Sequence, residues 1–86
     1  MTRMPAPDQS LEATGELCPM NYVRTKLRLE AMADGQVLEV FVSTGEAERN
    51  VPRSAGEEGH EVLSVEAAGE ARVRVLIRKR EAAHGA

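Results

Sequence analysis

Residues 36–43 read QVLEVFVS, a run dense in β-branched and aromatic side chains between Gly35 and Gly45. A run of this kind bounded by glycines is a strand. It constrains everything else, because the rest of an 86-residue chain must build a sheet around it and cover at least one face. Residues 71–80 supply a partner. Val73, Val75 and Ile77 alternate with Arg72, Arg74 and Arg78, and Leu76 breaks the pattern; the strand has one well-buried face. A shorter strand lies within residues 60–68, HEVLSVEAA, and the Ala68-Gly69-Glu70 link after it is short enough only for a hairpin. Residues 11–13 form a fourth strand, followed by the turn signal Thr14-Gly15.

Residues 19–33 satisfy two periods at once. Charged and apolar residues alternate from Val23 to Ala31, as in a strand, yet the segment is long and built of Met, Arg, Lys, Leu, Glu and Ala. Those residues favour a helix, Pro19 pre-sets its first turn, and Gly35 lies just past its end. On a helix, Tyr22, Thr25, Leu29 and Met32 share one face and Met20, Val23, Leu27 and Ala31 another. A two-layer protein buries only one of these fully. The second helix is expected to begin near Asn50, which puts Pro52 in the first turn. Val51 and Ala55 form its thin apolar side and Gly59 stops it. Residues 1–10 and 81–86 read as flexible tails around a single domain of residues 11–80.

The expected order is therefore β-α-β-α-β-β. Right-handed crossovers make the first three strands parallel and place both helices on one face. The fold class is a two-layer α/β (α+β) sandwich with a four-stranded mixed sheet. Each helix then begins where a strand ends, on the same edge of the sheet. Cys18 precedes the first helix, and Arg49 and Asn50 are expected to precede the second.

Composition narrows the function. Aromatic residues are 2% of the chain, Tyr22 and Phe41. The core must be aliphatic, and a base-stacking platform is nearly excluded. Eleven Lys and Arg against 14 Asp and Glu give a net charge of −3, a poor match for a phosphate backbone, so no direct nucleic-acid partner is expected. No apolar run exceeds three residues and no secretory h-region is visible; neither membrane insertion nor export is expected, and the expected setting is cytoplasmic. Cys18 is the single cysteine. It cannot form an internal disulfide or a Cys-rich zinc or iron–sulfur site, so no metal and no cofactor is called for.

A thiol at a helix mouth has its thiolate stabilised by unpaired amides and by the helix dipole, and Arg49 would add to this if close. The same topology argues against a Cys–His hydrolase. His60 opens the third strand at the opposite edge, Glu16 would raise the thiol pKa, and no oriented base is visible.

Three segments then carry a resemblance. LEATGELCPMNYVRTKLRLEAMADGQVLEV, residues 11–40, resembles the TusA/SirA family of small sulfur-carrier proteins, whose C-P-x-P box follows a strand and a glycine turn. RNVPRSAGEEGHEV, residues 49–62, and the ending VRVLIRK resemble that family's later segments. The resemblance implies the fold of the C-terminal domain of translation initiation factor three, with sheet order 1-2-4-3. It implies that Cys18 accepts a sulfane sulfur as a persulfide from a cysteine desulfurase or rhodanese-type protein. The sulfur then passes to an acceptor protein in tRNA thiolation, cofactor sulfuration or sulfur oxidation. Pro19, Asn21, Arg49 and Asn50 would support that site, and Met20, Val23 and Leu27 would form the docking surface. The box here is Cys18-Pro19-Met20-Asn21, so Asn21 stands where the family has its second proline. Competing readings are a regulatory module associated with a sulfur-compound transporter, an RNA binder by fold analogy, and a thiol redox protein without a resolving cysteine.

Overall fold

The computed structural model describes residues 6–17 and 20–80. The elements are β1 (Gln9–Glu12), α1 (Met20–Glu30), β2 (Val37–Ser43), α2 (Glu46–Glu57), β3 (Glu61–Ala67) and β4 (Arg72–Arg78). The four strands form one sheet in the order β1-β2-β4-β3. β1 runs parallel to β2, and β4 runs antiparallel to both β2 and β3. The expected two-layer fold and strand order are therefore observed. Of the tails expected at residues 1–10 and 81–86, residues 1–5 and 81–86 lie outside the described residues.

Alternation along the strands builds the core. Leu38, Val40 and Val42 of β2 and Val73, Val75 and Ile77 of β4 face the helices and are buried. Ala47, Val51 and Ala55 of α2 close over them, with Leu29 and Met32 from the α1 side. The face of α1 that carries Thr25 and Leu29 is thus the buried one, and Tyr22 packs partly buried against the same core. The chain leaves α1 through Gly35, at φ 90°, where glycine avoids the strain of a left-handed conformation. Lys79 is 3% exposed because its ammonium is spent on that helix end: Nζ donates to the Leu29 carbonyl at 2.6 Å.

Two boundaries differ from expectation. β1 begins at Gln9, not at residue 11, and pairs Gln9 with Leu38 and Ser10 with Glu39. Asp8 completes this start: its N–H donates to the Val37 carbonyl and its Oδ2 accepts from the Val37 N–H, both at 2.8 Å. Polar side chains hid the strand, because its outer face is open to solvent. α2 begins at Glu46, not near Asn50, so Pro52 lies inside the helix. A proline there loses one backbone hydrogen bond, to the carbonyl four residues earlier. The extra turn is held from both sides. Glu48 Oε1 accepts from the Gly45 N–H at 2.7 Å, and Ala47 adds a third buried position to the stripe of Val51 and Ala55.

Leu76, the residue out of phase in β4, is completely buried on the face away from the helices. It pairs with Glu39 of β2 and with Ser64 of β3, next to a β-bulge between Val62 and Ser64. The arginines on that face are matched by carboxylates. Arg72 meets Glu12 at 2.6 Å and lies over the Phe41 ring, 3.8 Å from its centroid. Arg74 meets Glu39 at 2.6 Å and Glu66 at 3.2 Å. Arg72 is the main reason that the Glu12 carboxyl sits below its ordinary pKa. The row that an RNA-binding reading would need is occupied by these pairs.

Tyr22 ties the helices together. Its hydroxyl is 3.0 Å from Glu58 Oε1 and 3.4 Å from the Ser54 carbonyl. Burial first, and then the Glu58 carboxylate, push the phenol well above its ordinary pKa of 10.0. A phenol whose folded pKa is raised contributes stability that is full below the unfolded value, about 10. That contribution fades as pH rises toward the folded value. Tyr22→Phe is therefore expected to cost about 1 kcal/mol at pH 7. It should also show a shallower loss of stability above pH 10 than wild type. Denaturant unfolding at neutral and alkaline pH reads both, and parallel losses in the two proteins would remove Tyr22 from the account.

Candidate functional site

Because β1 and β2 are parallel, their ends at Glu12 and Ser43 share one edge of the sheet, and α1 and α2 both start there. The loop after β1 is tied down in three places. Ala13, 1% exposed, donates its N–H to the Phe41 carbonyl at 2.8 Å, and Glu16 donates to the Ala13 carbonyl at 3.2 Å. Gly15, at φ 86°, donates its N–H to Ser43 Oγ at 2.9 Å. Leu17 stands out from this loop with most of its side chain in solvent, and its carbonyl accepts from the Asn21 N–H at 3.2 Å. That bond joins residues on either side of the Cys18-Pro19 pair, reaching across the box in sequence. Cys18 and Pro19, the residues inside it, lie outside the described residues.

A cleft of about 210 Å³ opens at this edge, lined by Gly15, Glu16, Leu17 and Asn21 on one side and Ser43, Thr44, Glu46 and Ala47 on the other. Glu16, the acid nearest Cys18 in sequence, is paired with Arg24 at 2.9 Å. Asn21 is buried. Its Oδ1 accepts from the Tyr22 N–H at 2.6 Å, and its carbonyl accepts from Thr25 Oγ1 at 2.8 Å.

Met20, Val23 and Leu27 project from the opposite side of α1, and with Leu17 they form an exposed apolar strip running away from the box. A shallow groove of about 250 Å³ adjoins its far end, between Leu11, Arg24, Leu27, Arg28 and Ala31. Arg49 and Asn50 do not precede α2. They are its fourth and fifth residues, Arg49 exposed and Asn50 half-buried, with Asn50 Oδ1 accepting from Arg53 at 2.8 Å. The turn that faces the edge is Glu46 to Glu48 instead. His60 opens the edge opposite the cleft, as expected. Its N–H donates to the Ala55 carbonyl at 3.0 Å, and its Nδ1 accepts from the Arg80 N–H at 3.1 Å. The sequence reading missed Gly15, Ser43 and Thr44 as lining residues. The available signal was Ser43-Thr44-Gly45 at the end of the strongest strand, on the edge where two helices start.

The family model described as "Sulfurtransferase TusA" matches residues 9–79, which takes in every strand and helix of the fold. The chain belongs to the TusA family. Relatives of this TusA-family chain include a protein of Archaeoglobus fulgidus named as a candidate sulfur carrier. It is 47% identical over 73 residues, 85% of this chain and 83% of that one. A protein of Escherichia coli K12 that carries the same kind of name, YedF, is 33% identical over 73 residues, covering 85% of this chain and 94% of its own. The SirA-like protein of Desulfitobacterium hafniense has the same fold. Its crystal structure superposes with a TM-score of 0.75 at 23% identity, over 85% of this chain and 99% of its own. Membership in this family makes the protein a member of a sulfur-carrier group, with sulfur donors and acceptors as the general class of partner. Among the described residues no helix is long and apolar enough to cross a membrane.

Proposed function

We propose that the protein relays sulfane sulfur as a persulfide on Cys18. The observation that carries this reading is the edge itself: the cysteine-bearing box of a TusA-family chain joins Leu17 to Met20 beside a cleft between two helix starts. The Cys18 thiolate attacks the outer sulfur of a donor persulfide. The donor S–S bond breaks and its electron pair leaves on the donor thiolate, while the proton of the donor persulfide stays with the transferred sulfur. The products are Cys18–S–SH and the donor thiolate, and no outside oxidant or reductant takes part. Donation to an acceptor is the same exchange in the other direction.

Several features of the chain support the chemistry. Amides at the start of α1 favour an anion near them, and Arg24 draws the Glu16 carboxylate aside. Pro19 and Asn21 shape the box. Met20, Val23 and Leu27 form the docking strip for a cysteine desulfurase or rhodanese-type donor and for a downstream acceptor protein. An apolar strip beside a reactive group suits partners that must exclude water briefly and then release. Delivery toward tRNA thiolation, cofactor sulfuration or sulfur oxidation follows the family resemblance.

The test is intact-mass measurement after incubation with a cysteine desulfurase and cysteine. The expected result is the gain of one sulfur atom per chain, reversed by dithiothreitol. No gain would sink the reading.

A further inference from the structure

The two outer strands of the sheet, β1 and β3, are finished differently. On β1, Ala13 turns its N–H to β2, so Ser10 and Glu12, out of phase with it, turn their backbone groups outward. Both outward carbonyls are taken by α1. Arg28 donates to the Ser10 carbonyl at 3.2 Å and Arg24 to the Glu12 carbonyl at 3.4 Å. Charged side chains laid along an edge block further strand pairing. On β3, Ala68 donates its N–H to the Arg72 carbonyl at 2.9 Å. Ser64 and Glu66 therefore bond toward β4, while Val65 and Ala67 turn their backbone groups outward. Among the described residues nothing bonds to those outward groups. Val65 is 43% exposed and stands apart from the other strongly exposed apolar residues, Leu17, Met20, Val23 and Leu27. A second, independent mark lies beside it. Among the described residues, Ser64 Oγ is the one buried side-chain polar atom without a hydrogen-bond partner, a state that buried hydroxyls rarely keep.

We infer that β3 is the seam of a homodimer, pairing antiparallel with β3 of a second copy about a two-fold axis through Val65. In this register Val65 exchanges both backbone hydrogen bonds with Val65 of the second copy. Ser64 then stands opposite Glu66 of the second copy. The two lie on the same outer face, since in one chain they pair with Leu76 and Arg74, and theirs is a non-hydrogen-bonded pair, whose side chains come close. The Ser64 hydroxyl donates to that carboxylate. Glu66 meets Arg74 through Oε1, which leaves its other oxygen to accept, and the two-fold axis makes the bond twice. Sliding the register to set Val65 opposite Ala67 would place Glu66 against Glu66, a repulsive pair. The bulge between Val62 and Ser64 interrupts the ladder at its other end. So short a ladder buries less than the roughly 1,200 Å² of a stable interface, and the dimer is weak and concentration-dependent. β1 and β3 are opposite edges of the sheet, so the seam leaves the α1 strip of each copy open to other partners.

The experiment follows the full chain by sedimentation equilibrium and ¹⁵N–¹H spectra from roughly 10 µM to 1 mM, the range of a weak interface. The dimer fraction is expected to rise with concentration. The Val65 and Ala67 amide resonances should move with it, and those of Ser64 and Glu66, already bonded to β4, should move less. Val65→Pro removes the N–H that crosses the axis and leaves the β4 ladder intact, because proline is tolerated where an edge N–H faces outward. It is expected to stay monomeric throughout. Val65→Lys, at an exposed position, should do the same and decides the matter if the proline variant does not fold. Ser64→Ala should weaken the dimer roughly tenfold, through two lost hydrogen bonds to carboxylates. A wild-type chain that is monomeric over the whole range overturns the inference. So does a dimer that survives in both Val65 variants, whose seam must lie elsewhere. Val65 and Ala67 resonances that move on adding a cysteine desulfurase, but not with concentration, give the edge to a partner chain and overturn the second copy as its occupant.

Discussion

Cys18→Ala is expected to take up no sulfur at all from a persulfide donor, while wild type gains one atom per chain. The chain has a single cysteine, and transfer needs a thiolate to attack and a sulfur to hold the product. No other side chain offers both. Intact mass under the desulfurase conditions reads the result directly, and circular dichroism should show the same fold in both proteins. Uptake that persists in the variant would mean adventitious sulfur elsewhere on the chain and would end the assignment. The transporter-associated reading makes the opposite forecast, since a docking module that does not use its thiol would keep its cellular function in Cys18→Ser.

Leu29→Ala carries the largest expected effect on stability, a loss of about 2–5 kcal/mol. Leu29 is fully buried and holds α1 against the core. Its own carbonyl receives the buried Lys79 ammonium at 2.6 Å, so a shift of the helix end would also disturb a charged hydrogen bond. A chain of this length has a total stability of roughly 4–13 kcal/mol, so the substitution removes a large share. Urea unfolding should show a lower midpoint with an unchanged slope. A change under about 0.5 kcal/mol, the range of an ordinary surface substitution, would mean that α1 is not held where Leu29 places it.

Much of the architecture was legible in the residues. The alternation in β2 and β4 marks an inner face because side chains point to opposite sides of a strand. The choice of Thr25 and Leu29 as the buried side of α1, over Val23 and Leu27, was left open by periodicity, since both faces carry apolar residues. Only packing settled it. The start of α2 was misplaced for a related reason. Pro52 is a local signal with a known preference for a first turn, but the Glu48 cap and the burial of Ala47 outweigh it once the sheet lies beneath.

What the sequence by itself determined was the set of strands and helices, their order, and the box that marks the family. All of these depend on neighbours within a few positions along the chain. Tertiary structure decided the rest. Gly15 meets Ser43 across 28 positions, Lys79 reaches Leu29 across 50, and Arg72 meets Glu12 across 60. The cleft, the capped end of α1 and the neutralised arginine row each come from such meetings. A hydrogen bond or ion pair forms only within a few ångströms, and which distant residues come that close is set by the pairing of strands, not by the period of any one of them.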